Sequence, residues 1–287
     1  MSPRPLRIDL KTAPHNTTYA DMQRYWADAD AHPAITGLWL FDHFLPLTED
    51  YSGPCLEGWT LLAALATQTH RLRVGQMVTC NTYRYPAVLA NMGATVDILA
   101  GGRLDFGIGA GWYEREHRMY NIPFPSAADR IRALGEACAL IKLLWTQEVS
   151  DYAGRYYRLE GARSEPKPVQ QPHPPFMIGG GGEQLTLRVV AEHAAMWNLA
   201  GASPDEARHK LAVLDRHCQA IGRDPATIGK SFQVYLRAAT EVPGLAGRLR
   251  EYVGLGFDHF VIGVPGTYIP GLVEQIVEEL RPLRADE

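Results

Sequence analysis

The chain has 287 residues, with 28 lysines and arginines against 32 aspartates and glutamates, for a formal net charge of −4. This length suffices for one large α/β domain or two small ones, and the near-balanced charge predicts neither nucleic acid nor an anionic membrane as a partner, which leaves small molecules. No apolar run reaches the roughly 18 residues that span a bilayer, and the opening stretch MSPRPLRIDL lacks the apolar segment of a signal peptide. We therefore expect a cytoplasmic protein.

The cysteines and histidines predict neither disulfides nor a metal site. Cys55, Cys80, Cys138 and Cys218 lie far apart and form no CxxC pair. Reduced thiols are expected, because a chain of this size does not need disulfides for stability. None of the ten histidines has HExxH or a similar ligand spacing, so no metal is predicted.

Short apolar segments alternate with amphipathic segments of helical length along the whole chain. The strand candidates, in chain order, are LRIDL, GLWLFDH, RVGQMVTC, RLDFGIGAG, PPFMIGG, AMWNLAG, SFQVYL and HFVIGV. Helical patterns between them include YADMQRYWADAD, GWTLLAALATQT, YPAVLANMGATVDILA and AADRIRALGEACALIKLLW. Eight such units without a linker predict an α/β protein with a closed (β/α)8 TIM barrel, a single domain over residues 1–287. An open Rossmann-like sheet is the alternative.

One insertion, residues 146–175, interrupts this alternation between the fourth and fifth strands. Its VSDY and RYYRL segments flank Ala153 and Gly154, which predicts a β-hairpin, and five prolines then prevent a helix. The insertion is either a plain surface feature or a lid over one end of the barrel.

Polar residues collect at the predicted C-terminal strand ends, where barrel enzymes place their chemistry. Asp42 and His43 end the second strand, and because neighbouring side chains alternate in direction, only one can face the barrel mouth. Cys80, at the end of the third strand, is better explained as a pocket wall than as a nucleophile. Glu114 and His117 are either an acid–base pair in a loop or part of a solvated helix start.

Glycines follow two further strands. Gly179, Gly180, Gly181 and Gly182 precede a helical pattern, so their N–H groups and the helix N-terminus are suited to a phosphate, with a flexible turn as the alternative. The run matches neither a Walker loop nor GxGxxG. In GIGAGW, the glycines let a planar ligand lie close to the barrel mouth.

Together these segments resemble the luciferase-like monooxygenase superfamily, and within it the deazaflavin-dependent oxidoreductases that use coenzyme F420. The resemblance covers roughly residues 37–198 and rests on GLWLFDHF, the LEGWTLL to YRYPAVLA segment, GGRLDFGIGAGWYEREHRMYNIPFP, and the GRYYRL to AEHAAMWN segment. It implies a barrel that holds a flavin-type ring at its mouth, with the cofactor phosphate near the four glycines. The family's aspartate and histidine fall on Asp42 and His43, which are the predicted catalytic residues.

The resemblance also implies a bulge in the third strand, with a cis peptide bond between Met77 and Val78 against which the ring rests. Thr79, Cys80 and Asn81 would then line the cofactor pocket, with Ala110 and Gly111 on the fourth strand. The predicted rim of the mouth consists of Tyr83, Arg84 and Tyr85. One position departs from the sugar-phosphate dehydrogenase branch: Trp112 stands where that branch has an acidic glutamate, which argues against glucose-6-phosphate as the substrate.

The function predicted on this basis is hydride transfer between F420 and an unidentified small organic substrate, with His43 supplying or polarising a proton. A separate reductase would supply reduced cofactor, and a homo-oligomer is compatible with the sequence. Two alternatives are an FMN-dependent two-component monooxygenase and a flavin-binding barrel without turnover.

Overall fold

The computed structural model describes residues 5–285. The strands are β1 (Arg7–Thr12), β2 (Ile35–Leu40), β3 (Arg73–Gln76), β4 (Thr79–Cys80), β5 (Leu104–Gly109), β6 (Ser150–Ala153), β7 (Arg158–Ala162), β8 (Phe176–Gly179), β9 (Met196–Ala200), β10 (Gly229–Tyr235) and β11 (His259–Val264). The helices are α1 (Tyr19–Ala31), α2 (Gly58–Gln68), α3 (Pro86–Leu99), α4 (Glu114–Met119), α5 (Ala127–Thr146), α6 (Thr186–His193), α7 (Pro204–Ala220), α8 (Leu245–Gly254) and α9 (Leu272–Ala285). Two short 3-10 helices cover Pro225–Thr227 and Ala239–Glu241.

The main sheet is a closed barrel of parallel strands. Its order is β3-β2-β1-β11-β10-β9-β8-β5-β4, and β3 also pairs with β5, in the register Val74↔Leu104 and Gly75↔Asp105. That last pairing joins the two ends of the sheet. The prediction of a (β/α)8 barrel is confirmed, and the open Rossmann-like sheet is wrong because no strand edge is left to stay open.

The third barrel strand is broken as predicted. β3 ends at Gln76 and β4 begins at Thr79, and the peptide bond between Met77 and Val78 is cis. Within residues 5–285 it is the only cis bond that does not precede a proline. Beyond the break the strand pairs with β5 again, as Thr79↔Ile108 and Cys80↔Gly109. Helix α3 then begins at Pro86, whose fixed backbone angle suits a first helical position.

The core has two layers. A small cluster of Trp39, Met77, Met177 and Val261 fills the inside of the barrel. The larger cluster lies between the outward faces of the strands and the apolar faces of the helices. The barrel interior is therefore packed, and a ligand can be held only near the ends of the strands.

The insertion forms the predicted hairpin, with β6 and β7 antiparallel and Tyr152 opposite Leu159. Its turn is longer than a two-residue one: Ala153 pairs with Arg158, because the carboxylate of Glu136 on α5 accepts N–H bonds from the loop residues 155–157, at 2.8–3.2 Å. The hairpin is thus fastened to the outside of the barrel. No helix within residues 5–285 is both long and apolar enough to cross a membrane.

Candidate active site

A cavity of about 1050 Å³ opens at the C-terminal ends of the barrel strands. Its wall is formed by residues at or just after the end of every barrel strand, from Lys11 and His15 after β1 to Pro265 after β11. No residue of the insertion at 146–175 is among those lining this cavity. Of the two interpretations of the insertion, the structure therefore favours the surface feature over the lid.

His43 is joined to a buried carboxylate at the cavity wall. Its Nδ1 lies 2.8 Å from Oε2 of Glu116, a residue of α4 with no exposed surface. The other oxygen of Glu116 accepts the backbone N–H groups of Phe44 at 2.6 Å and Leu45 at 2.8 Å, and the Tyr83 hydroxyl donates to Oε2. Four donors thus converge on one carboxylate and fix both its position and the orientation of the imidazole.

The charge state of this pair follows from the same contacts. Burial by itself would raise the pKa of Glu116, but the hydrogen bond and charge of His43, with the other donors, lower it below its ordinary value. An ionised carboxylate can only accept, so Nδ1 of His43 carries a proton and donates it. In a neutral ring Nε2 then keeps a lone pair, and no residue in the described part of the chain bonds to it. This arrangement, a base oriented by a buried acid, suits proton transfer.

Asp42 borders the same cavity, but its carboxylate is already occupied. Arg84 binds it through two hydrogen bonds of 2.6 and 2.8 Å, and the N–H of Cys80 donates at 2.9 Å. Arg84 in turn contacts Glu57 at 2.6 Å. The predicted pair is therefore divided: His43 presents a free ring nitrogen to the cavity, while Asp42 ties the end of β2 to the third strand.

The third strand contributes most of its predicted pocket residues. Met77, Val78, Thr79 and Cys80 line the cavity, as does Tyr83. Burial raises the pKa of the Cys80 thiol to about 12, which suits a pocket wall and not a thiolate nucleophile.

Three other residues of this segment lie elsewhere. Asn81 is buried away from the cavity, where its amide donates to the Tyr157 hydroxyl at 3.1 Å. Arg84 is held in the ion pair with Asp42, and Tyr85 is 78% exposed outside the cavity wall. The geometry thus leaves only Tyr83 of the predicted rim at the mouth, because the Asp42 carboxylate draws Arg84 inward.

Ala110, Gly111 and Trp112 line the cavity after β5. Gly111 has a φ of +80°, and a Cβ there would lie 2.7 Å from Sγ of Cys80, so the loop passes too close to the third strand for a larger residue. Trp112 is 64% exposed, with its ring centroid 5.8 Å from that of His43. A bound molecule that reaches His43 would therefore also meet an aromatic surface.

The glycine run is divided in a similar way. Gly179, Gly180 and Gly181 line the cavity and Gly182 does not. The N–H groups of Gly181 and Gly182 have no backbone acceptor among the residues that the structure describes. Lys210 of α7 lines the cavity and places its ammonium 2.8 Å from the carbonyl oxygen of Gly181 and 3.3 Å from the Glu183 carboxylate. Free N–H groups, a cation and the start of α6 at Thr186 together suit an anionic group.

The contacts of α4 also show whether Glu114 and His117 could act as an acid–base pair. His117 is buried, with Nε2 2.7 Å from the Thr82 hydroxyl and Nδ1 2.9 Å from the Tyr113 carbonyl oxygen, so neither nitrogen is available to a ligand. Glu114 does not line the cavity. The acidic residue that matters is Glu116, which sequence reasoning missed. No local pattern marks it, because Glu116 reaches His43 only through the tertiary fold, across 73 positions.

Two further wall residues were missed on β1 and in the loop after it. Lys11 is 3% exposed, and its ammonium bonds to the Met77 carbonyl at 3.0 Å, Gln233 at 3.3 Å and the Tyr235 hydroxyl at 2.6 Å. It has no carboxylate partner within residues 5–285. His15 stands at the mouth beside Phe41. The available signal was the alternation of charged and apolar residues in RIDLKT, which places Asp9 and Lys11 on one face of the strand.

Comparison with known proteins agrees with this architecture. The F420-dependent glucose-6-phosphate dehydrogenase of Amycolatopsis mediterranei is 32% identical over 191 residues, 66% of this chain and 54% of that protein. The F420-dependent hydroxymycolic acid dehydrogenase of Mycobacterium tuberculosis is 31% identical over 210 residues, 73% of this chain and 57% of that protein. The chain thus matches little more than half the length of these two relatives.

Among solved structures, an F420-dependent secondary alcohol dehydrogenase in complex with an F420-acetone adduct shares the fold, with a TM-score of 0.83. Its sequence is 18% identical, and the match covers 97% of this chain and 99% of that one. The sequence model of the luciferase-like monooxygenase family matches residues 7–260. This chain therefore belongs to the luciferase-like monooxygenase family.

Proposed function

We propose that the protein is an F420-dependent oxidoreductase that transfers a hydride between the deazaflavin and a small organic substrate. The observation that carries this proposal is the Glu116–His43 pair, whose open imidazole nitrogen faces a cavity large enough for a ring cofactor and a substrate. Hydride transfer from a C–OH or C–NH group requires such a proton acceptor, and the reverse transfer to C=O or C=N requires the same group as a proton donor. The F420-dependent relatives support this cofactor.

The residues present fit F420. The free N–H groups of Gly181 and Gly182, with Lys210, would hold its phosphate. A Cβ at Gly109 would lie 2.7 Å from the Val78 side chain, so β5 can pass this close to the third strand only because this position is glycine. We assign Met77, Val78, Thr79, Cys80, Ala110 and Gly111 to that wall. When bound, F420 supplies a ring carbon that accepts or gives a hydride.

The chain's own residues have three tasks. Nε2 of His43 takes a proton from the substrate during oxidation, and the buried Glu116 carboxylate stabilises the imidazolium that results. The ion pair of Asp42 with Arg84 holds the end of β2, and hence His43, at a fixed distance from the third strand. Trp112 places an aromatic surface beside His43, against which a bound substrate would pack.

Glucose-6-phosphate is not the proposed substrate. The position after Gly111 carries the Trp112 indole in place of a carboxyl group, and the nearby carboxylate of Glu116 is fully engaged. A cytoplasmic location, a homo-oligomer and a separate reductase stay predictions.

The affinities for F420 and FMN, measured by quenching of cofactor fluorescence, test the cofactor assignment. We expect tighter binding of F420. Tighter binding of FMN would instead favour a two-component monooxygenase, the second candidate, which the family as a whole keeps open. A panel of alcohols, ketones, imines and activated alkenes, screened with oxidised and reduced cofactor, then separates an enzyme from a binding protein without turnover.

A further inference from the structure

A second imidazole, that of His15, lines the cavity beside His43. Its segment follows β1 and is held by antiparallel pairing with residues 54–56, where Asn16 N–H donates to the Pro54 carbonyl and Leu56 N–H to that of Pro14, both at 2.9 Å. The Phe41 ring lies between the two imidazoles, with centroids 5.1 Å from His15 and 5.0 Å from His43. The two histidines thus stand on one wall at fixed positions.

The hydrogen bonds of the two rings require opposite tautomers. The backbone N–H of Leu47 donates to Nδ1 of His15 at 3.2 Å, so this nitrogen keeps its lone pair and the proton of the neutral ring is on Nε2. In His43 the proton is on Nδ1, which faces the Glu116 carboxylate. His15 therefore offers a donor where His43 offers an acceptor. No residue in the described part of the chain accepts a hydrogen bond from Nε2 of His15.

The surroundings of His15 keep it neutral. Burial lowers the pKa of its imidazole, and the positive charge of Lys11, with that of His43 whenever His43 has taken a proton, lowers it further. Lys11 can act in this way because it has no carboxylate partner among residues 5–285 to cancel its charge. A neutral His15 can donate a hydrogen bond without competing with His43 for the proton.

We propose that Nε2–H of His15 donates a hydrogen bond to the substrate oxygen whose proton His43 takes, which makes the reacting group an alcohol–carbonyl couple. This inference rests on the proposed function. In the oxidation, the O–H bond breaks and its proton passes to Nε2 of His43. The C–H bond breaks and its hydride, with two electrons, passes to the oxidised deazaflavin, so that the alcohol becomes a carbonyl compound and the cofactor is reduced.

His15 keeps its own proton throughout and stabilises the negative charge that develops on the oxygen. A carbon–carbon double bond has no oxygen on the reacting carbon and would leave this donor unpaired. The pairing of a donor with an acceptor on one wall thus selects C–OH or C=O over an alkene.

Nitrogen NMR of the unliganded protein at pH 7 tests the tautomers without any cofactor. Long-range proton–nitrogen spectra of histidine-labelled protein, assigned with His15→Gln and His43→Gln, should show His15 protonated on Nε2 alone. The matched control is His32, whose Nδ1 also accepts a backbone N–H, that of Ala34 at 3.2 Å, and which does not line the cavity. Protonation of His15 on Nδ1, or on both nitrogens, would overturn the proposal.

Steady-state turnover of the alcohol or ketone identified in the substrate screen tests the proposed role of His15 as a hydrogen-bond donor. His15→Leu should lower kcat by about 10² to 10³, the usual effect of removing one oxyanion donor, with a much smaller change in KM. His15→Gln retains an N–H donor and should recover about tenfold of that loss. His32→Leu should leave kcat unchanged.

The two proposals fail in different ways. A kcat of His15→Leu within twofold of wild type, or turnover confined to imines or alkenes, would overturn the role of His15 while leaving F420-dependent hydride transfer intact. Absence of F420 binding would overturn the proposed function, whatever the tautomers are.

Discussion

Two charged residues of β1, Asp9 and Lys11, lie on the same inward face of the strand and have opposite surroundings. Asp9, in the N-terminal half of the barrel, accepts from Arg7 at 3.1 Å, His259 at 2.7 Å and Trp39 at 2.8 Å, and also from Thr36. Lys11, at the cavity, binds three neutral oxygens and no carboxylate.

This difference in surroundings distinguishes charged residues that stabilise the fold from those that are available for function. Burial by itself would raise the pKa of Asp9, but the charges of His259 and Arg7 lower it far below its ordinary value, so the Asp9 carboxylate is ionised and its charge is paired. At the mouth, by contrast, the charge of Lys11 has no carboxylate partner among residues 5–285, and the open nitrogens of His15 and His43 are left for a ligand. A charge that is paired within the fold stabilises the fold, whereas one that is left unpaired is available for chemistry.

The largest expected effect concerns the buried hydrogen bonds and ion pairs of Asp9. Asp9→Ala should lower the free energy of unfolding by about 3–5 kcal/mol, because it leaves the buried His259 without its carboxylate and removes one of the two carboxylates that Arg7 contacts. Asp9→Asn, which retains the shape, keeps the test valid if the alanine variant does not fold. Chemical denaturation measures the loss, with Asp205→Ala as the control, since its ion pair with Arg208 is exposed and should change stability by less than about 1 kcal/mol. Equal effects would contradict the distinction.

Among the groups at the cavity, His43 should show the next largest effect. His43→Ala should lower turnover by about 10² or more, which is about 2.7 kcal/mol of activation free energy, and leave cofactor binding within a few fold. The reason is the loss of the proton acceptor that Glu116 orients. Steady-state kinetics and fluorescence titration measure the two quantities. Near wild-type turnover with a substrate that must gain or lose a proton would reassign His43 to a structural role.

His193, which lies outside the Asp9 network and the cavity, tests how much stability is lost when a buried histidine must be protonated. Burial, and then the charge of Lys142, lower the pKa of His193 to about 4, below the value of about 6.5 in an unfolded chain. Since the unfolded state binds the proton more tightly, stability is lost as pH falls below about 6.5, by about 2 kcal/mol between pH 7 and pH 5. His193→Leu should remove this loss, as measured by denaturation at both pH values. An unchanged pH dependence would show that His193 is not buried neutral.

The smallest effect concerns the glycine run. Gly181→Asp should weaken a phosphorylated cofactor by about tenfold or more, because it adds a negative charge beside the free N–H groups. A ring analogue that lacks phosphate should bind within a few fold of wild type. Gly181→Asn is the matched control, with the same shape and no charge. If both ligands weakened equally in the aspartate variant, the phosphate would have to lie elsewhere.

Local patterns in the sequence were enough to predict the barrel and the end of it at which the cavity opens. Periodicity is a local property, so eight strand–helix units and the polar strand ends could be recognised without contacts, and the GGGG run and the third-strand segment were found in the same way. The resemblance added the break at Met77–Val78, which the structure has.

Only the tertiary structure decided which of these residues are available for chemistry. Glu116 meets His43 across 73 positions, Arg84 takes up the Asp42 carboxylate across 42, and Lys11 reaches Tyr235 across 224. Such pairings arise when barrel closure brings strand ends together, and no local pattern encodes them. They separate His43 from Asp42 and exclude Asn81 from the cavity, because a polar side chain that finds a partner within the fold is no longer free for a ligand.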